Sequence, residues 1–271
     1  MKHVLSVQDL SCVGRCSLTV TLPVLSAMGI RCSALPTAVL STHTAFPKPE
    51  VVSLTQQLEP FAAHWKENGI TFDAVSIGYL ADPAQAAAVE AVLDMQENRP
   101  LVILDPVMGD NGRLYSRITE DHLHAMRRLA KRADVILPNI TEAAALTGLS
   151  YRERTDDGYL HELLNALLEL SKNAIITGVC REDGKIGIFG GGRDKAALSW
   201  QTDRVDRSFH GTGDLFSAVF TGHLAQGQNL HFAASRAGLF VKRCVEGTAA
   251  STPHGVEFEK MLPLLAGNRD I

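Results

Sequence analysis

The chain has 271 residues, 45% of them hydrophobic and 21% charged, with a formal net charge of -4. That balance describes a globular protein able to bury a sizeable core and excludes a disordered chain. With no basic surplus nucleic acid is not an expected partner, and no apolar stretch approaches the length of a membrane span, so none is expected there either.

Short β-branched runs alternate with longer helical patterns. Residues 4–7 read as a strand, and Leu18, Leu22, Leu25 and Met28 mark one face of a helix. Residues 32–40 are a second strand; Val51, Leu54, Leu58 and Phe61 then recur at helical spacing before a strand over 73–78. Residues 83–95 are alanine-rich and helical, 101–105 form an apolar strand, and a helix over 120–131 precedes a strand at 135–137. Residues 160–170 lead as a helix into 174–176. Such alternation implies βαβ units, hence an α/β fold with a doubly wound, mostly parallel central sheet and helices on both faces. After Thr177 the pattern changes. Residues 186–189 and 197–202 look like a hairpin or small antiparallel edge, with Gly190-Gly191-Gly192 as a turn. Helices close the chain from Gly213. No linker, internal repeat or low-complexity tract interrupts it, so 1–271 is expected to be a single domain.

The five cysteines stand at 12, 16, 32, 180 and 244, an odd and scattered set that suits small apolar fillers in a reducing compartment. The first nine residues lack the apolar core of a secretory signal, which makes the cytoplasm the expected location. The ten histidines are dispersed, and no cage of protein ligands for a metal is expected.

In a doubly wound sheet, ligands sit beyond the carboxyl ends of the strands. Polar punctuation collects there: Gln8-Asp9, Ser41-Thr42-His43-Thr44, Gly78-Tyr79, Asp105-Pro106-Val107-Met108-Gly109-Asp110, Pro138-Asn139-Ile140-Thr141-Glu142 and Thr177-Gly178. Asn139 and Glu142, three apart at the start of a helix, could share a hydrated Mg²⁺ or simply cap that helix. Asp105 could orient a metal or phosphate, or be a turn residue before proline. Residues 109–116 are long enough to form a flap, or an ordinary loop. In His210-Gly211-Thr212-Gly213-Asp214, glycines allow close backbone approach, and a helix start offers amides to an anion. Asp214 could then take a proton from an attacking hydroxyl, or be no more than an N-cap. No Gly-x-x-x-x-Gly-Lys-Ser/Thr loop, third dinucleotide glycine or Gly-x-Ser-x-Gly elbow accompanies it.

Together these segments resemble, in order and along nearly the whole chain, the pyridoxal kinase family of the ribokinase superfamily. The Gly-Thr-Gly-Asp and Asn-x-x-Glu elements are superfamily features; Asp105–Asp110 with the downstream Tyr115 is similar to vitamin B6 kinases in particular. The resemblance implies ATP-dependent phosphorylation of the 5′-hydroxymethyl group of pyridoxal, pyridoxamine or pyridoxine, with Mg²⁺, by a homodimer. It implies Asp214 as the base, with Gly211, Thr212 and Gly213 forming the anion hole. It also implies Asp105 and Tyr115 near the transferred phosphate, Asn139 and Glu142 in the metal network, and Thr177 on nucleotide phosphates. Thr44 and Tyr79 would face the pyridine ring. Asp9 stands where many members carry a serine that contacts the ring, which would make it a substrate-selecting residue. The alternatives are a hydroxymethylpyrimidine kinase of thiamine synthesis and a non-catalytic vitamin binder on the same fold.

Overall fold

The computed structural model describes residues 1–181, 183–193, 196–249 and 252–266. Two compact units divide the chain: residues 1–101 with those from 205 onward, and residues 102–204.

The first unit opens with β1 (His3–Ser11), α1 (Leu18–Ala27) and β2 (Arg31–Leu40). Val4, Leu5 and Val7 are all fully buried, as expected of a parallel strand covered on both sides. β1 pairs in parallel with β2, and its register shifts between Gln8 and Leu10, around Asp9. Pro36, the partner of Gln8, has no N–H for the ladder, so an irregularity there has a local cause. The β-branched pair Val51 and Val52 lies in a short antiparallel strand, β3 (Val51–Ser53), on β2. Helical spacing counted from Val51 therefore starts too early, and α2 covers Thr55–Glu67. β4 (Ala74–Ile77), parallel to β1, and α3 (Ala84–Asp94) follow.

β5 (Leu101–Leu104) leads into the second unit. A two-residue hairpin joins β6 (Gly109–Asp110) to β7 (Arg113–Leu114), with Asn111 and Gly112 at φ 50 and 76. This Asn-Gly pair has the left-handed turn conformation that hairpins favour, so the expected flap is a defined β-hairpin. Next come α4 (Glu120–Arg132), β8 (Val135–Ile136), α5 (Ile140–Thr147), α6 (Asp157–Leu168), β9 (Asn173–Cys180), β10 (Lys185–Gly192) and β11 (Leu198–Asp203). β5, β8 and β9 run parallel, while β10 and β11 add antiparallel strands at the edge. The triple glycine is not a turn. It lies within β10, where a Cβ on Gly190 would strike the Ala174 carbonyl oxygen and one on Gly192 the Asn173 side chain.

The chain returns to the first unit through α7 (Thr212–Ala225), α8 (Leu230–Gly247) and a closing 3-10 segment, Glu259–Leu265. Every residue of α7 from Leu215 to Gly222 is buried, which accounts for its unbroken apolar run. The class is the expected one: α/β, mostly parallel, with helices on both faces and small antiparallel additions. Among the described residues no helix is long and apolar enough to cross a membrane.

Candidate active site

Four segments converge in the first unit around the start of α7. The Arg15 N–H donates to the His254 carbonyl (2.7 Å), the Val256 N–H to that of His210 (2.9 Å) and the His43 N–H to that of Val13 (3.0 Å). Gly211 is the N-cap of α7 and has φ 84. A Cβ on it would be driven into the Arg15 carbonyl oxygen, so both conformation and space call for glycine. Thr119, Asn139, Asp156 and Asn229 cap α4, α5, α6 and α8, whereas α7, like α1, α2 and α3, has no side-chain cap. Among the described residues no side chain caps its first amides, which carry the positive end of the helix dipole. A cavity of about 240 Å³ in the same cluster is lined in part by Phe46, His210, Pro253 and Gly255.

Asp214 is the third helical residue of α7, so the N-cap alternative fails. Its carboxyl accepts instead from the Ser17 N–H. Burial pushes its pKa up to about 6; the nearby Asp9 acts in the same direction, and the Ser17 N–H opposes both. A carboxyl titrating there is mostly ionised at neutral pH and well matched to accept a proton. The helix amides do not hold it at an ordinary carboxylate value; desolvation wins.

Asp9 is 4% exposed. Its Oδ1 accepts from the Ser17 hydroxyl at 2.5 Å and its Oδ2 from the Ser11 hydroxyl at 3.0 Å. Each oxygen of the Asp9 carboxyl thus accepts one hydroxyl from a buried serine. Thr44 is exposed, and Tyr79 is half-buried with its carbonyl accepting from the Thr37 hydroxyl (3.1 Å). One residue left without a role by sequence alone is His43, which is buried. Its Nδ1 accepts from the Ala45 N–H (3.2 Å), which leaves Nε2–H to donate to the Pro253 carbonyl (3.1 Å). The His43 ring lies 4.9 Å from Phe46 and 5.2 Å from His210, and Phe46 lies 5.9 Å from His254. Burial holds the His43 pKa below its usual value. Sequence spacing gave no sign that 43, 46, 210 and 254 form one aromatic wall.

In the second unit, Asn139 and Glu142 form a reciprocal cap on α5. The Glu142 N–H donates to Asn139 Oδ1 and the Asn139 N–H to Glu142 Oε2, both at 2.9 Å. The same pair also grips the loop after β5: Asn139 Nδ2 donates to the Gly109 carbonyl (2.8 Å) and the Met108 N–H to Glu142 Oε1 (3.0 Å). The Gly112 N–H of the hairpin donates to the Thr141 hydroxyl (2.9 Å). Thr177 bridges to Asn139, and its N–H donates to the Pro138 carbonyl (2.9 Å). Tyr115, 46% exposed, is tied by its N–H to the Met108 carbonyl (2.9 Å). Asp105, half-buried, begins the gripped loop. Asp105, Tyr115, Asn139, Glu142 and Thr177 thus belong to one hydrogen-bonded framework.

Glu142 is 3% exposed and both its oxygens accept backbone N–H groups, so the structure gives capping where direct metal ligation was an option. Among the described residues no three His, Cys, Asp or Glu side chains are grouped to hold an ion. These residues suit an ion that keeps its own waters, not one stripped by a protein cage.

Burial pushes the Glu142 pKa up to about 7, against the pull of the N–H groups of Asn139, Met108 and Gly109. An acid raised in the folded state from its usual 4.5 contributes stability that is complete below pH 4.5 and is lost as pH climbs through 7. Glu142→Gln presents an amide NH₂ to one of the two backbone donors, so it should cost about 1–3 kcal/mol. The cost should be larger near pH 5 than near pH 8, read by denaturant unfolding at both. An equal cost at the two pH values would contradict a raised Glu142 pKa.

Fold and helix entrance together define a class, the ribokinase-like small-molecule kinases. A family model described as phosphomethylpyrimidine kinase matches residues 25–258, and the chain belongs to that family, which includes pyridoxal kinases. It is 30% identical over 260 residues to a pyridoxine/pyridoxal/pyridoxamine kinase of Bordetella bronchiseptica, covering 90% of this chain and 89% of that one. The pyridoxal kinase of Lactobacillus plantarum superposes with a TM-score of 0.90 at 36% identity, over 98% of this chain and 96% of that one. A Bacteroides thetaiotaomicron protein, crystallised with pyridoxal as a phosphomethylpyrimidine kinase, gives 0.91 at 36% identity, covering 97% and 95%.

Proposed function

We propose that the chain is an ATP-dependent kinase that phosphorylates the 5′-hydroxymethyl group of a vitamin B6 vitamer, for salvage to pyridoxal 5′-phosphate. The observation that carries this reading is Asp214, a carboxyl at the third helical position of α7, whose start no described side chain caps, in a chain of this family. Asp214 takes the proton of the acceptor hydroxyl as that oxygen bonds to the γ-phosphorus of ATP; the bond to the β–γ bridging oxygen breaks and ADP leaves. The amides of Gly211, Thr212 and Gly213 hold the phosphoryl oxygens as charge builds on them. Thr44, Tyr79 and the His43–Phe46 wall flank the ring, an aromatic surface against an aromatic acceptor. In the second unit, Asp105, Tyr115 and Thr177 serve the nucleotide phosphates.

Mg²⁺, when bound with ATP, would neutralise phosphate charge, and Asn139, Glu142 and Asp105 are the residues that would hold it. Asn139 and Glu142 fix the 105–109 backbone and, with Asp105, meet that hydrated ion through water. On this reading Glu142→Gln raises the Mg²⁺ concentration for half-maximal turnover as well as lowering stability; a lowered stability with an unchanged Mg²⁺ curve leaves Glu142 a capping residue only. The protein works as one catalytic domain over 1–271, as a homodimer, in the cytoplasm.

Hydroxymethylpyrimidine is the second acceptor to weigh, because the matching family model bears that chemistry in its name. A non-catalytic binder would need no base tuned near neutrality. Coupled ADP release with pyridoxal, pyridoxamine, pyridoxine and hydroxymethylpyrimidine decides among them. Turnover is expected with at least one vitamer at a kcat/KM above that for the pyrimidine. The reverse order would reassign the substrate, and no turnover with any would remove the kinase reading.

A further inference from the structure

The first unit holds a buried carboxyl, Asp9, for which the transfer step has no use. Asp9 is enclosed with Ser11 and Ser17, both buried, and its Oδ1 takes the Ser17 hydroxyl at 2.5 Å. Ser17 has φ 48 and ψ -127. That backbone region belongs to glycine, and an L residue stays there only where its surroundings hold it. The Ser17 side chain is held by Asp9, and its backbone N–H is given to Asp214. Ser17 therefore acts on both carboxyls: its hydroxyl bonds to Asp9, and its amide N–H favours the charged form of Asp214.

We propose that Asp9 is a positioning residue for the base: by anchoring Ser17 it sets where the Asp214 carboxyl stands. This rests on the reading of Asp214 as the base. Two effects follow from one residue. The hydrogen bond to Oδ1 keeps Ser17 in its strained conformation, so that the amide meets Asp214. The Asp9 charge, close by in a poorly solvated space, makes Asp214 easier to protonate, in the direction its raised pKa takes.

Of the other groups nearby, the Cys16 thiol faces both carboxyls, and burial together with them pushes its pKa up to about 12, so it stays neutral. The Arg15 guanidinium is turned away, donating to Glu259 at 2.6 Å and to the Gly255 carbonyl at 3.5 Å. His43 lies beside His210, His254 lies against Phe46, and none of the three acts on Asp214. That leaves Asp9 as the charge that can move the titration of Asp214.

The test is the pH profile of kcat/KM for wild type, Asp9→Asn and Asp9→Ala, on whichever acceptor the wild type turns over. Asp9→Asn keeps an oxygen for the Ser17 hydroxyl and removes the charge. Its acidic limb should move to lower pH by roughly half a unit or more. Asp9→Ala releases Ser17 and should lower kcat on the order of tenfold to a hundredfold with little change in KM, the cost of a misplaced base. Ser17→Gly, at ease in the same conformation, should lose less kcat than Ser17→Ala, which keeps the strain without the anchor. If Asp9→Ala does not fold, the Asp9→Asn limb and the ¹³C carboxyl titration of Asp214 in that variant still decide. An Asp9→Asn limb that coincides with wild type, or an Asp9→Ala kcat equal to that of wild type, overturns the proposal. Failure of the base reading shows separately, as Asp214→Asn retaining turnover.

Discussion

Asp214→Asn is expected to lower kcat by about 10²–10⁴-fold, the range for removing a positioned general base. The asparagine keeps an oxygen for the Ser17 N–H, so the backbone around it and the KM for ATP should change little. Wild-type turnover should fall as pH drops through about 6, where Asp214 takes up its proton, and that limb should vanish from the residual activity of the variant. Stability should move the other way. The carboxyl is raised to about 6 from an ordinary 3.8, so its contribution is complete below 3.8 and lost as pH rises through 6. At pH 8 the wild type keeps a charge in a space that disfavours it, and the neutral asparagine relieves that cost. Melting at pH 8 should find Asp214→Asn at least as stable as wild type. Near-normal turnover, or a variant much less stable at that pH, would take Asp214 out of its role.

Gly211→Ala should be the most damaging single methyl in the first unit. At φ 84 an alanine costs about 1–2 kcal/mol for the left-handed backbone alone. Its Cβ is also driven into the carbonyl oxygen of Arg15, with the Val256 side chain 3.6 Å away. Backbone cannot rotate aside as a flexible side chain can, so Arg15 and the start of α7 must shift. A displaced amide in the anion hole should cost a further 10²–10³ in kcat, on the order of one lost oxyanion donor. Gly213 supplies the control, since a Cβ there meets nothing within 4 Å and its φ is not positive. Thermal melts should therefore separate the two alanine variants, with Gly211→Ala the lower; equal melting temperatures would mean that α7 starts differently in solution.

Much of the fold was legible because hydrophobic periodicity reports burial, and burial is what a parallel sheet imposes on its strands. Boundaries failed where local chemistry competes with periodicity. Val51 satisfies a helical count yet lies with Val52 in an edge strand, and Gly190–Gly192 carries a turn composition into the end of β10. The Asn111-Gly112 hairpin was readable from its two residues but hidden by reading 109–116 as a flap or an ordinary loop.

The candidate site divides in the same way. Its residue types and order along the chain were determined by sequence alone: the Gly211–Asp214 helix entrance, Asn139 with Glu142, and the loop from Asp105. Each is a local arrangement, with partners a few residues apart, so spacing carries its geometry. What only the tertiary structure decided is how each carboxyl is used. Asp9 meets Ser17 eight residues on, Ser17 meets Asp214 across nearly two hundred, and Glu142 closes on Met108 thirty-four residues back. Desolvation and backbone N–H groups set a carboxyl's charge, and both come from whatever the fold packs against it, which no spacing records.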